Sequence, residues 1–385
     1  MLTDKHYDLV VVGAGVIGLA CAYEATERGM SVAVVERNAH CVGASIRNFG
    51  FVTVTGQRSG EHWHRARLSS ETWLKVAQQA NIDVIHRGLY VVAQRSQALA
   101  VLQSFMSTDM GEDCRWLSES ERHSRLPFLQ QASGVMFSPH ECRVESRQAI
   151  AQMAFWLEEK RGVDFFWKTA VTDIELPKIH TSSGAITGTY CVACPGHDLY
   201  SLFPELQRET DIQMSTLQML RVDPGQPIKL PGAVMSDLSL VRYDGYTALP
   251  ESSALADRIA LEQPQHLAQG VHLIVVQSAD GSLVVGDSHV YGEAEDPFAQ
   301  QATDELIMQS FHDVLNLPAA RITERWMGTY ASAQEVVHHV NPQPGLAIGI
   351  VTGGTGASTC FGFAKELIDA VTGESHVRPL SSFIH

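Results

Sequence analysis

The N-terminal part of the chain alternates short apolar runs with a segment whose apolar and small residues recur at helical spacing. Residues 7–12 form a β-branched apolar run, which is typical of a buried strand. After a glycine-rich turn, the segment LACAYEATERG predicts a helix that ends at Gly29. The run SVAVVE then predicts a second strand that ends at Glu36. This order of strand, turn, helix and strand is typical of a nucleotide-binding α/β unit.

The turn after the first strand has the spacing of a dinucleotide-binding fingerprint. Gly13 permits the tight turn, Gly15 lets the backbone approach a pyrophosphate, and Gly18 lets the helix pack close to the strand. The helix N-terminus then favours the phosphate charge. Glu36 stands roughly 20 residues further on, where a carboxylate accepts hydrogen bonds from an adenosine ribose and disfavours the 2′-phosphate of NADP. This unit alone does not choose between FAD and NAD.

Two other glycine-rich segments favour a flavin. Residues 43–50, GASIRNFG, stand where a plain NAD enzyme would continue with further strand–helix units, and they suit a loop that follows the cofactor. Near the C-terminus, residues 346–351 predict a strand that runs into GGTG and a helix. Backbone amides at such a turn can donate to the N1–C2=O edge of a flavin, where negative charge accumulates on reduction. An ordinary turn without a ligand is the alternative.

The remaining alternation predicts a second region rich in strands: GLYVVAQ, IQMSTLQMLRVD and GVHLIVVQSADGSLVVGDSHVYG. The Asp-Gly pair in SADGS predicts a hairpin turn. The stretch WMGTYA, residues 326–331, predicts a turn that leads into a ligand pocket, and Arg242 is expected near a strand end. His62 and His64 fall on a predicted helix, where their i,i+2 spacing turns them to different faces and argues against a shared metal site.

Composition and charge narrow the classes of function. A chain of 385 residues predicts one large domain or two interleaved domains. The net charge of −15, without a cluster of Lys and Arg, argues against a nucleic-acid partner. No apolar run approaches the ~20 residues that span a bilayer, so no membrane partner is expected.

The seven cysteines are scattered along the chain, which predicts reduced thiols and a cytoplasmic location. Cys191 and Cys194 have the CxxC spacing of a redox couple or half of a zinc site. We interpret them as small strand residues before a turn, because no second pair lies at a metal-site spacing. No metal site is predicted.

Taken in order, these motifs resemble the D-amino-acid oxidase superfamily of FAD enzymes, the group that contains glycine oxidase and sarcosine oxidase. The resemblance covers essentially the whole chain and rests on VVVGAGVIGLACAYEATERGMSVAVVER, GASIRNFG, TYCVACPGHDL, WMGTYA and GGTGAS. It implies an α/β fold in which a Rossmann-type FAD-binding domain is interleaved with an α+β substrate domain that carries a mostly antiparallel sheet. The FAD-binding domain would comprise residues 1–80, 140–205 and 325–385, and the substrate-binding domain residues 81–139 and 206–324.

The cofactor implied by the resemblance is FAD. Several relatives attach flavin through a cysteine, and Cys360 lies near the C-terminal glycine turn, but the segment STCFGF favours noncovalent binding. The expected cofactor-binding residues are Gly13, Ala14, Gly15, Val16, Ile17, Gly18, Glu36, Arg37, Ala44, Ser45, Arg47, Asn48, Phe49, Gly50, Val171, Gly196, Gly354, Thr355, Gly356, Ala357 and Ser358.

The substrate expectation turns on Tyr330. In glycine-oxidase-like relatives the segment corresponding to WMGTYA reads Trp-x-Gly-x-Arg-Pro, and its arginine binds the substrate carboxylate. A phenol carries no charge and cannot present a planar fork, so ordinary glycine or D-alanine is not expected as substrate. Tyr330 could bond a phosphonate oxygen or an amine, wall an apolar pocket, or simply pack, and the sequence leaves the three open. The segments SIRNFGFVTVTGQ, GDSHVYG and GGTGAS resemble a bacterial subgroup associated with aminophosphonate breakdown.

The resemblance also implies the reaction. A small-molecule amine would lose hydride from the carbon beside its nitrogen to flavin N5, and water would hydrolyse the imine to aldehyde and amine. Electrons would pass to O2, giving H2O2, or to another acceptor. The alternatives are oxidation of a glycine- or sarcosine-like amino acid and a flavoprotein that binds FAD without turnover. The sequence does not determine the oligomeric state.

Candidate side chains for substrate binding and catalysis are polar residues in or near the predicted strands. The catalytic candidates are Tyr330, His289, Arg242, Tyr243 and Tyr246. A phosphonate would need positive charge, for which the further candidates are Arg47, Arg58, Arg221, His62 and His64.

Overall fold

The computed structural model describes residues 2–373. Its strands are, in chain order, β1 (His6–Val12), β2 (Val32–Val35), β3 (Phe51–Val52), β4 (Val84–Ala93), β5 (Arg115–Trp116), β6 (Gly134–Val144), β7 (Asp164–Phe166), β8 (Val171–Glu175), β9 (Lys178–Thr181), β10 (Gly184–Ala193), β11 (Gln213–Asp223), β12 (Ala233–Met235), β13 (Ile274–Gln277), β14 (Leu283–Gly286), β15 (Val290–Gly292), β16 (Arg321–Gln343) and β17 (Leu346–Gly353).

The helices are α1 (Val16–Glu27), α2 (Glu61–Gln79), α3 (Ser96–Met106), α4 (Glu119–Arg125), α5 (Ser146–Arg161), α6 (Pro204–Glu209), α7 (Asp237–Leu240), α8 (Asp244–Thr247), α9 (Ser252–Glu262), α10 (Pro264–Ala268), α11 (Gln301–Val314) and α12 (Gly356–Thr372), with short 3₁₀ turns at Ala44–Ile46 and Asp109–Gly111. Among residues 2–373, no helix combines the length and the apolar character needed to cross a bilayer.

A parallel group of strands joins the two ends of the chain. β1 lies between β2 and β10, and β10 also pairs with β17, all in parallel. The register places Val12 beside both Val35 and Ala193, and Ala193 beside Ile348. The carboxyl ends of β1, β10 and β17 therefore meet at one edge of the sheet, which is where open α/β sheets bind their ligands.

The first helix forms as its sequence predicts. Most of α1 is buried, because small residues such as Ala20, Ala22 and Ala25 let it pack closely against its neighbours. The turn that closes it contains Gly29, whose φ of 74° suits glycine. The predicted strand–turn–helix–strand unit is thus confirmed.

The second part of the sheet is mostly antiparallel. β11 pairs antiparallel with β14, β15 and β16, while β13 and β14 form the predicted hairpin around Gly281. β12 adds a parallel pairing with β4. The mixed α/β fold class is confirmed, whereas the division into domains at the expected residue boundaries stays a prediction.

Two local expectations are wrong. WMGTYA is not a turn but lies inside β16, where Tyr330 pairs with Ser215 of β11. Gly328 is needed there for close approach, since an added Cβ would lie 3.1 Å from the Arg47 carbonyl oxygen. Arg242 is not near a strand end but lies between α7 and α8, where its backbone N–H donates to the Ser239 carbonyl.

The close packing of α1 on the first turn predicts that Gly18→Ala is destabilising. An added Cβ would lie 1.9 Å from the Gly13 carbonyl oxygen and 3.2 Å from Val11 Cγ1. We expect the free energy of unfolding to fall by about 1–3 kcal/mol, as for other overpacked sites. Urea unfolding checks this, with Gly292→Ala as control because its Cβ would meet nothing closer than 3.8 Å. Equal midpoints for the two variants would contradict the packing argument.

Candidate functional site

A cavity of about 900 Å³ opens at the edge where the parallel strands end. Its wall includes both glycine-rich turns, the loop after β2, and side chains from the antiparallel region. The volume is at the upper end of the range for ligand pockets in proteins.

The first turn and Glu36 are joined by hydrogen bonds. The Ala14 N–H donates to Glu36 Oε2 over 2.9 Å, and the backbone and side-chain N–H groups of Asn38 donate to Oε1, each over 2.9 Å. Gly13, Val16, Ile17 and the other fingerprint residues, with Glu36 and Arg37, line the cavity, but Ala14 does not. The Ala14 amide therefore orients the carboxylate, and a contact of Ala14 with the cofactor stays a prediction.

The loop after β2 is held against α1. The Ser45 hydroxyl accepts a hydrogen bond from the Val16 N–H over 2.9 Å. Ala44, Ser45, Arg47, Asn48 and Phe49 line the cavity.

Gly50 does not line the cavity. Its φ is 65°, its N–H donates to Asn48 Oδ1, and an added Cβ would lie 1.9 Å from the Val144 carbonyl oxygen. It supports the loop from behind the wall, and its expected contact with the cofactor stays a prediction.

The C-terminal turn reaches the same cavity. All five expected residues from Gly354 to Ser358 line it, as do Val171 and Gly196. α12 begins at Gly356, so the unpaired N–H groups of its first turn lie at the wall. The Ser358 hydroxyl accepts a hydrogen bond from the Thr53 N–H over 2.9 Å, which fixes this turn. Two glycine turns, a helix N-terminus and a buried carboxylate form a donor and acceptor set that fits FAD.

His62 and Cys360 lie near the C-terminal turn, and their burial affects how each could interact with a flavin. His62 is buried and its Nε2 lies 3.1 Å from the Thr355 hydroxyl, whereas His64 is exposed, so the predicted opposite faces are confirmed. Burial lowers the pKa of His62 to about 4. Cys360 is buried outside the cavity wall, and burial raises the pKa of its thiol.

The antiparallel region contributes a group that we call the arginine–tyrosine cluster: Arg242, Tyr243, Tyr291 and Tyr330. Arg242 Nη2 donates to the hydroxyls of Tyr291 and Tyr330, over 3.2 Å and 3.4 Å. All four line the cavity. An added Cβ on Gly354 would lie 2.9 Å from Tyr330 Cζ, so this cluster touches the C-terminal glycine turn.

Behind the arginine–tyrosine cluster lie His272, Asp287 and His289, which we call the histidine–aspartate cluster. Nε2 of His272 lies 2.9 Å from Asp287 Oδ1, and Nε2 of His289 lies 3.7 Å from Asp287 Oδ2. Burial lowers the pKa of both imidazoles, that of His289 to about 3. For Asp287, burial raises the pKa but His289, His272 and Arg242 outweigh it, and the pKa falls to about 2.

The other sequence candidates fall into different places. Tyr246 does not line the cavity but packs on Phe105, with ring centroids 4.8 Å apart, and this placement does not bring it to the other substrate candidates. Arg221 lies outside the wall in ion pairs that include Glu324 at 3.1 Å. Arg58 lines the cavity but is ion-paired with Asp244 at 2.8 Å.

Among the wall residues that the sequence reasoning missed, three polar side chains lie near Arg242: His272, Asp287 and Tyr291. A signal for two of them was present in the hairpin. Because the turn at Asp280-Gly281 sets the register that pairs Ile274 with Gly286, the residues flanking these strands must also face each other. Continuing this register places Asp287 opposite Leu273, so His272 is its neighbour one position away, and the His272 N–H donates to the Asp287 carbonyl over 3.1 Å.

Comparison with known proteins places this site in a family. A family model described as FAD dependent oxidoreductase (DAO) matches residues 8–370. Monomeric sarcosine oxidase of Arthrobacter sp. (strain TE1826) is 23% identical over 231 residues, which cover 55% of this chain and 57% of that protein. Glycine oxidase of Geobacillus kaustophilus (strain HTA426) is 25% identical over 196 residues, covering 48% and 51%. The matches thus span little more than half the length of these curated relatives.

Solved structures match over nearly the whole chain. Glycine oxidase from Geobacillus kaustophilus superposes with a TM-score of 0.76 at 18% identity and 98% coverage of each chain. L-proline dehydrogenase from P. horikoshii gives 0.77 at 16% identity, covering 98% of this chain and 96% of that one. At these identities the structural likeness shows the fold alone. The family match, in contrast, runs from the first strand to the last helix, and the chain therefore belongs to the DAO family of FAD-dependent oxidoreductases, with FAD as its cofactor.

Proposed function

We propose that the protein oxidises a small amine whose other end carries an anionic group, and that this group is best a phosphonate, as in an aminophosphonate or an N-methylated aminophosphonate. The observation that carries the proposal is the position of Arg242. Its guanidinium bonds two phenols on a wall that also touches the Gly354 turn. A guanidinium with two hydroxyls beside it suits the several oxygens of a phosphonate.

The residues of this chain would bind and orient the amine. Arg242 supplies a fixed positive charge, and the hydroxyls of Tyr291 and Tyr330 supply hydrogen bonds. Burial raises the pKa of Tyr330 to about 12, so its hydroxyl keeps its proton at neutral pH and can donate. When bound, FAD supplies the acceptor for the hydride that leaves the carbon beside the amine nitrogen. The amides at the start of α12 would stabilise negative charge at the cavity wall, and the apolar part of the wall would keep water from the reacting carbon.

An amino acid is the second candidate substrate. The curated relatives are named sarcosine oxidase and glycine oxidase. The lack of arginine at position 330 counts less against a carboxylate than the sequence suggested, because Arg242 brings a guanidinium within 3.4 Å of the Tyr330 hydroxyl. For either substrate, we propose that the electrons pass to O2 or to another acceptor and that the protein is cytoplasmic.

Flavin bleaching tests the substrate class. Under anaerobic conditions a substrate reduces the bound flavin and removes its visible absorbance, whichever electron acceptor is used afterwards. We expect 2-aminoethylphosphonate or its N-methyl derivative to bleach the flavin faster than sarcosine or glycine at equal concentration. Faster bleaching by either amino acid would assign the protein to the second candidate, and no bleaching by any amine would reject the reaction.

The role of Arg242 is tested by Arg242→Lys, which keeps the charge but removes the planar fork. We expect KM for the preferred amine to rise by about 10- to 100-fold, because charge-assisted hydrogen bonds are lost. The content of bound FAD should not change. Arg221→Lys is the matched control, since Arg221 is ion-paired outside the cavity wall. If KM moves equally in both variants, Arg242 is not the anchor.

Acid precipitation tests the noncovalent binding of FAD. Cys360 is buried outside the cavity wall, and burial raises the pKa of its thiol, which leaves it neither accessible nor activated for attachment. We expect the flavin absorbance to appear in the supernatant after the protein is precipitated with acid. Absorbance that stays with the pellet would show covalent attachment, for which the cavity-lining Cys41 and Cys194 would be the residues to replace.

A further inference from the structure

The histidine–aspartate cluster is held in place by backbone contacts on the two sides of the β13–β14 hairpin. The His272 N–H donates to the Asp287 carbonyl over 3.1 Å, and the His289 N–H donates to the Gln269 carbonyl over 3.1 Å. The two imidazoles are stacked, with centroids 5.3 Å apart and an interplanar angle of 20°. All three side chains are buried in the protein yet line the cavity.

The hydrogen bonds around His289 leave one nitrogen of its ring without a hydrogen. His289 Nδ1 lies 3.0 Å from the Gly270 carbonyl, which can only accept, so Nδ1 carries the hydrogen. In a neutral ring Nε2 then has a lone pair, and it faces Asp287 Oδ2 at 3.7 Å. On the other side, His272 Nε2 lies 2.9 Å from Asp287 Oδ1, close enough to donate a hydrogen bond to it. A proton on His289 Nε2 would turn a lone pair that faces a carboxylate into a donor.

The charges around the cluster cancel before a ligand binds. The charged groups near the two imidazoles are the carboxylate of Asp287, within the cluster, and the guanidinium of Arg242, beside it. The remaining polar neighbours are uncharged: the phenols of Tyr243 and Tyr330, the Ser239 hydroxyl and the Gly270 carbonyl. An anion that enters this site leaves it with net negative charge, which is costly away from water.

Protonation of an imidazole offsets that cost. Burial keeps both histidines neutral in the free protein, because it lowers the pKa of His289 to about 3 and also lowers the pKa of His272. A doubly negative group a few ångströms away raises both pKa values, since opposite charge favours the protonated ring. A monoanion has the weaker effect.

We propose that His272 and His289 form, with Arg242, a subsite for a tetrahedral dianion, and that His289 takes up a proton from solvent when a phosphonate or phosphate group binds. The proposal rests on the proposed function only in placing the substrate's anionic group at Arg242. No bond to phosphorus changes: the proton moves from solvent to His289 Nε2 and is shared with Asp287. Selectivity for dianions over carboxylates follows from the charge that the proton adds.

The same three side chains also have the composition of a metal site, because their ligand atoms lie within 4.8 Å of one another. The charge of Arg242 opposes a second cation beside it. The site therefore favours an anion over a metal ion. Elemental analysis of the protein distinguishes the two.

Calorimetry of the FAD-loaded protein tests the proposal with two ligands of the same shape. Ethylphosphonate is a dianion above its second pKa, whereas ethanesulfonate is a monoanion at every such pH, and neither is an amine that can be oxidised. Titration in two buffers with different ionisation enthalpies gives the number of protons taken up per ligand. We expect uptake of about one proton with ethylphosphonate and much less with ethanesulfonate, and at least about 10-fold tighter binding of the phosphonate.

A variant pair locates the proton. His289→Gln should lower both the proton uptake and the affinity for ethylphosphonate, by about 10-fold for the latter. His266→Gln is the matched control, because burial likewise lowers the pKa of His266 but its ring lies against the Leu306 carbonyl, outside the cavity wall. Should the His289 variant fail to fold, the buffer dependence of the unaltered protein still decides the question.

Four results would overturn the proposal: no buffer dependence with ethylphosphonate, equal affinity for the two ligands, uptake that persists in the His289 variant, or a stoichiometric divalent metal found by elemental analysis. Failure of the proposed function is a separate result. It would appear as absence of flavin bleaching by every amine, even if ethylphosphonate binds with proton uptake.

Discussion

The parallel pairing of β10 with both β1 and β17 is the constraint on which the site depends. Because parallel strands end at a common edge, two turns that are more than 300 residues apart come to lie on one cavity. The pairing needs close approach at the turn itself, where Gly18 packs on the Gly13 carbonyl. A longer side chain there would separate the helix from the strand and widen the cofactor end of the cavity.

The cofactor half could be predicted from sequence because its chemistry is local. Gly13, Gly15 and Gly18 are required by backbone geometry within one turn, and Glu36 follows at a spacing that the βαβ unit fixes. The substrate half depends on contacts between distant segments. Arg242 and Tyr330 meet although 88 positions separate them, and no periodicity in either segment indicates that contact. One contact could still have been predicted: extending the pairing of β13 with β14 past the strand ends places His272 near Asp287.

Position 330 illustrates why a motif alone does not tell which charged groups reach a cavity. The motif WMGTYA suggests that a positive charge is missing, and the structure supplies a guanidinium from the connection between α7 and α8 instead. A site is defined by which groups reach the cavity, and the segment that contributes each group is free to vary. The interpretation of the motif as a turn failed for a related reason, since Gly328 allows the close approach of the Arg47 loop to β16 and does not reverse the chain.

β16 continues from its pairing with β11 to its pairing with β17, and its register with β17 is irregular between Ser332 and Val337. Tyr330 lies on this strand two positions before Ser332, which pairs with Gly353 beside the C-terminal turn. Each residue of a strand advances by about 3.3 Å and a hydrogen-bonded strand does not stretch. Under the proposed function, the fixed spacing between Tyr330, which Arg242 bonds, and the C-terminal turn would select the length of the amine that reaches from the guanidinium to the flavin.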